Sequence, residues 1–107
     1  MTTHVLACTT TDSEQSAREL AASAIEARLA ACAQVEGPIT SVYRWQGEVE
    51  TATEWRVTYK TTAARYPDLQ AHLLARHPYD TPELITTPVT GGSDAYLRWL
   101  EEQVSSS

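Results

Sequence analysis

The chain is 107 residues long, one domain's worth, with 42% hydrophobic and 21% charged residues, the composition of a fold that buries its own core. Fourteen acidic residues outweigh eight basic ones for a formal charge of −6, and the seven Arg and single Lys are scattered, which argues against nucleic acid or an anionic membrane surface as partner. The longest apolar run is the five residues Leu29–Ala33, and Met1–Val5 has neither a basic nor an apolar signal region, so a single cytoplasmic domain over residues 1–107 is expected.

His4–Thr9 is a short apolar run that reads as a buried strand. Thr11 and Glu14 form a capping-box signature, with Asp12 and Ser13 as competing caps. Ala17, Leu20, Ala21, Ala24, Ile25 and Leu29 then follow at helical spacing. From Ala33 the period changes to two. Ala33, Val35, Ile39, Tyr43 and Trp45 alternate with Gln34, Glu36, Thr40, Arg44 and Gln46, Val42 being the exception. Beyond Gly47 the odd positions Val49, Trp55, Val57 and Tyr59 are again apolar, against Glu48, Glu50, Glu54, Arg56 and Lys60. Apolar stays opposite apolar if Trp45 pairs with Val49, which predicts a three-residue loop, Gln46-Gly47-Glu48, with Gly47 at positive φ. Thirteen residues from Ala33 to Trp45 extend roughly 43 Å at about 3.3 Å each. A compact domain of this size is only roughly 34 Å across. The tip carrying Tyr43 and Trp45 therefore overhangs its own core, and exposed aromatic surface of that kind predicts self-association.

Pro67 starts a second helix with Leu69, Leu73, Leu74 and His77 turned inward, and Pro78 ends it. His77–Glu83 (HPYDTPE) is a loop stiffened by two prolines. Leu84–Val89 reads as a fourth strand, with Pro88 marking an edge or a bulge. Gly91-Gly92 makes a turn, Ser93 or Asp94 caps a last helix facing inward with Tyr96, Trp99, Leu100 and Val104, and Ser105–Ser107 reads as a frayed tail. The order strand, helix, strand, strand, helix, strand, helix is the α/β (α+β) ferredoxin-like split βαβ arrangement with an added C-terminal helix.

Cys8 and Cys32 make neither a disulfide framework nor a zinc spacing, and read as reduced, small core side chains; His4 and His72 have no partner motif and read as surface residues. With no G-x-S-x-G, H-E-x-x-H or Gly-rich phosphate loop, the chain is expected to bind rather than to catalyse.

Cys8-Thr9, Leu29–Ala33 (LAACA), Ser41–Gly47 (SVYRWQG), Lys60-Thr61, His77–Glu83 and Tyr96–Trp99 (YLRW), in this order and spacing, resemble the CutA divalent-cation-tolerance proteins over nearly the whole chain. The resemblance implies a ferredoxin-like fold, a cytoplasmic homotrimer built by long hairpins, and binding of copper or another divalent metal ion. Metal assignments in that family centre on a cysteine ending the first strand and a histidine pair before Pro-Tyr, which carries over to Cys8 and His77. The residue before His77 is Arg76, which offers no lone pair. Weak metal binding is the expectation, copper suiting thiolate and imidazole better than calcium or magnesium does. The alternative is a trimer of the PII signalling type that takes a small ligand or partner in a cleft between subunits, with Tyr43, Trp45, Glu54, Lys60, Tyr79 and Glu83 as lining residues.

Overall fold

A computed structural model describes residues 2–105; the rest of the expected Ser105–Ser107 tail lies outside them. The elements run β1 (His4–Thr11), α1 (Glu14–Glu26), β2 (Cys32–Trp45), β3 (Glu48–Thr62), α2 (Tyr66–Arg76), β4 (Ile85–Val89) and α3 (Asp94–Gln103). The strands form one antiparallel sheet in the order β2-β3-β1-β4, the ferredoxin-like arrangement. Pro88 sits on the edge strand β4, the place in a sheet where a missing N–H is best tolerated.

One face of the sheet carries the core. Ala7, Thr9 and Thr11 of β1 pair with Tyr59, Val57 and Trp55 of β3, and directly opposed residues share a face. Ala17, Leu20, Ala21 and Ala24 of α1 and Leu69 and Leu73 of α2 pack against this face, with Leu29 and Ala30 closing its end. Ile25 and Leu74 were expected to join them but are 39% and 48% exposed. Each follows the last inward residue of its helix, Ala24 or Leu73, by one position, and one residue turns the helix about 100° away from the seam.

Ser13 wins the competition to cap α1, accepting the Ser16 N–H at 3.1 Å, while the Thr11 hydroxyl donates to the Ser13 carbonyl at 2.8 Å. Ser93 caps α3 in the same way. α3 lies on the opposite face of the sheet. Leu100 and Val104 are buried there, and Lys60 Nζ stands 5.6 Å from the centre of the Tyr96 ring. Tyr96 and Trp99, expected inward, are exposed. His4 and His72, expected at the surface, both hold elements together. Buried His4 places Nε2 2.7 Å from Glu101 of α3, and half-buried His72 places Nε2 2.9 Å from Ser23 Oγ of α1. Neither cysteine is fully buried.

The hairpin differs most from expectation. Trp45 pairs with Glu48, not Val49, across a two-residue turn in which Gln46 (φ 49°) and Gly47 (φ 82°) are both left-handed. Such a turn matches the twist of the strands, and that local fit outweighs alternation at a tip with no core beneath it. A register shift between Glu36 and Ile39, at Gly37-Pro38, then sets odd positions opposite odd ones, Val35 with Val57 and Ala33 with Tyr59, two residues from the partners that the expected loop would give. Beyond the shift, Ile39, Ser41, Tyr43 and Trp45 share a face with Glu54, on the side of the sheet away from α1 and α2. The molecule measures 45 × 25 × 21 Å, so the hairpin does outreach the body as the strand lengths predicted.

Candidate functional site

The segment between α2 and β4 wraps the end of β1 and builds the site. His77, the C-cap of α2, accepts the Tyr79 N–H at Nδ1 (3.1 Å). That nitrogen therefore carries no proton, and Nε2–H donates to the Thr10 carbonyl at 2.9 Å, with Thr9 Oγ1 3.0 Å away. Burial pushes the imidazole pKa below its ordinary value, against smaller opposing contributions from the Thr10 carbonyl, Asp12 and Glu54, so the ring is neutral at pH 7. At the other end of the loop the Thr9 hydroxyl donates to the Glu83 carbonyl at 2.6 Å. Two adjacent threonine positions on β1 thus hold both ends of the loop.

Between these anchors the Tyr79 hydroxyl reaches the Glu54 carboxylate and donates to it at 2.7 Å. Glu54 is 7% exposed, an acid seated where the hairpin leaves the body of the sheet. Burial and this carboxylate together push the Tyr79 pKa well above the ordinary tyrosine value. The loop and the hairpin enclose a cleft of about 600 Å³. Of the six residues named for a cleft between subunits, Tyr43, Trp45, Glu54, Tyr79 and Glu83 line this cleft within one chain. Lys60 lies outside the cleft of its own chain, two positions beyond Thr58, the β3 partner of Cys8, toward α3, where its cation rests near Tyr96. Thr10, Ser41, Val42, Asp80 and Thr81 complete the lining. Asp80 falls within the His77–Glu83 motif, and Ser41 continues the Tyr43–Trp45 alternation two residues back.

Cys8 and His77 are not brought together. Cys8 follows strand alternation onto the face away from the helices, with Sγ 3.7 Å from Glu83 Oε2, whereas His77 is held beside Thr9. A second departure is that both His77 ring nitrogens already have partners, so an ion bound there would have to displace them. Burial first, then the nearby Glu83 charge, raises the Cys8 pKa and keeps the thiol protonated at neutral pH. Arg76 points its guanidinium back to the His72 carbonyl at 3.2 Å. Among the described residues, no three His, Cys, Asp or Glu side chains are grouped as metal donors. A shared Cys8–His77 ion therefore does not fit a single chain.

Residues 5–103 match the family described as CutA1 divalent ion tolerance protein. The chain belongs to that family. It is 43% identical over 93 residues to the divalent-cation tolerance protein CutA of Thermus thermophilus, covering 87% of this chain and 90% of the relative. With a CutA homologue of Danio rerio it shares 38% over 104 residues, 97% of this chain and 69% of the relative. Among solved structures, the Thermus thermophilus protein superposes with a TM-score of 0.93 at 39% identity, covering 95% of this chain and 99% of the other. CutA1 from Oryza sativa superposes with a TM-score of 0.94 at 35% identity, covering 98% and 96%. A CutA of Archaeoglobus fulgidus with the same fold is described as periplasmic. Among the described residues no helix is long and apolar enough to cross a membrane.

Proposed function

We propose that this single-domain chain acts as a cytoplasmic homotrimer within the divalent-cation-tolerance family, and that its working site is the cleft between the hairpin and the 77–83 loop, a binding site rather than a catalytic one. The observation that carries the reading is the Glu54–Tyr79 contact. A carboxylate is costly to bury, and here it is placed at a cleft ringed by aromatic side chains and large enough for a small molecule. The overhanging hairpin supports the trimer, since Val49 and Trp45 at its tip are 65% and 55% exposed in one chain. Native mass spectrometry of untagged protein, purified without added metal, tests both parts. Trimer mass with a retained small molecule is expected; a monomer overturns the assembly, and a bare trimer weighs against a tightly held ligand.

A second reading is weak binding of copper through Cys8, favoured by the Glu83 carboxylate 3.7 Å from its sulfur. Thiolate is a soft donor, so Cu(I) should bind more tightly than Zn(II). Because the raised thiol pKa means a proton must leave first, affinity should rise with pH. Competition against a calibrated Cu(I) chelator should show Cys8→Ser losing most binding and Cys32→Ser almost none. Equal affinities for both variants and the parent chain would remove copper from the function.

A further inference from the structure

The geometry points to an organic cation, an alkylated ammonium group, as the ligand of the hairpin–loop cleft; this rests on the cleft reading above and names its ligand class. Three carboxylates, Glu54, Asp80 and Glu83, line the cleft, and among the described residues of the chain no Lys, Arg or His side chain does. Glu54 is the decisive one. It is more than nine-tenths buried, its hydrogen bond comes from a neutral phenol, and the four ion pairs among the described residues leave it out. Both nitrogens of the His77 imidazole are taken up by the Thr10 carbonyl and the Tyr79 amide. A buried carboxylate without a countercharge in its own chain favours whatever cation can reach it.

Two observations select the kind of cation. The register shift at Gly37-Pro38 turns Tyr43 and Trp45 onto the face that carries Glu54, and Tyr79 faces them from the loop. Aromatic faces attract a weakly hydrated, alkylated ammonium, which also buries methyl groups against them. The cavity of about 600 Å³ suits an organic molecule, and its carboxylates are not grouped as the donors of one metal ion. The net charge of −6 steers cations toward the molecule as a whole.

Choline is the test ligand, with its uncharged isostere 3,3-dimethylbutan-1-ol beside it and potassium chloride holding ionic strength constant. Binding to the full chain is followed by calorimetry and by tryptophan fluorescence in an amine-free phosphate buffer. Choline should bind at least about tenfold more tightly than the isostere, a margin set by one countercharge. Glu54→Gln, whose amide oxygen can still accept the Tyr79 hydroxyl, should lose most of that margin. Asp80→Asn, an exposed change with little risk to folding, should lose part of it, and Trp45→Leu should weaken choline more than the isostere. Equal binding of choline and isostere overturns the cation assignment while leaving a ligand-binding cleft. No binding of either also overturns it, and together with a bare trimer by native mass spectrometry it removes the cleft reading as well. Choline binding unchanged in Glu54→Gln, Asp80→Asn and Trp45→Leu places the cation elsewhere and overturns the proposal.

Discussion

His77 caps α2 with its backbone N–H and fastens the loop with its ring, which accepts the Tyr79 amide and donates to the β1 backbone. The Tyr79 bond needs the lone pair of the neutral imidazole, so the neutral ring acts as a fastening for the loop. Its folded-state pKa lies below the ordinary 6.5 because burial disfavours the charge, and half-buried His72 is shifted in the same direction by burial and Arg76. The unfolded chain therefore takes up protons that the folded chain resists. Stability should be at its full value above about pH 6.5 and decline as the pH falls through the depressed folded-state values. Chemical denaturation between pH 5 and 8 checks this, and His77→Gln should show a shallower decline than the parent chain. An equal slope in the two proteins would mean that the ring's titration is not linked to folding.

Gly37 controls the hairpin at the scale of the element. Its φ of +152° lies in a region favouring glycine, and a Cβ there would meet Trp55 Cδ1 at 2.6 Å and the Glu54 carbonyl at 3.1 Å. The residue thus sits where the register changes and where the face bearing Tyr43 and Trp45 is selected. Gly37→Ala should cost about 1–3 kcal/mol of stability through backbone strain and the clash with Trp55. Gly91→Ala, where nothing lies within 4 Å of the added carbon, should stay within about 0.5 kcal/mol. Urea melts of the two variants at equal concentration provide the comparison, and similar losses in both would show that the register does not depend on Gly37.

For the molecule as a whole, the long axis of 45 Å and the exposed Tyr43, Trp45 and Val49 leave an apolar arm outside the core. Sedimentation equilibrium at micromolar concentration should give three times the 11.8 kDa chain mass. The melting temperature should rise with protein concentration, because association favours the folded form by mass action. Trp45 is more than half exposed in a lone chain, so Trp45→Ala separates the alternatives. Burial of the ring by a second copy should make the change cost about 3–5 kcal/mol and weaken assembly. An unchanged melting curve and mass would make Trp45 a surface residue and remove the arm from the interface.

The order of elements, the core face of β3 and the overhang of the hairpin could be read from the chain, because each depends on neighbours a few residues away or on length alone, whereas the chain narrows the caps only to Thr11, Asp12 or Ser13 and to Ser93 or Asp94. The clustering of Tyr43, Trp45, Glu54, Tyr79 and Glu83 could be anticipated as a set of residue types, but not its geometry. Alternation failed at the hairpin tip because no core lies beneath it to penalise the shifted register, so the turn's own twist decided the pairing. Only the tertiary structure separates Cys8 from His77, since adjacent strand residues point to opposite faces and the loop arrives on one of them. It also alone gives His4 a partner 97 residues away and takes Lys60 out of the cleft, contacts made by packing between elements that no local pattern encodes.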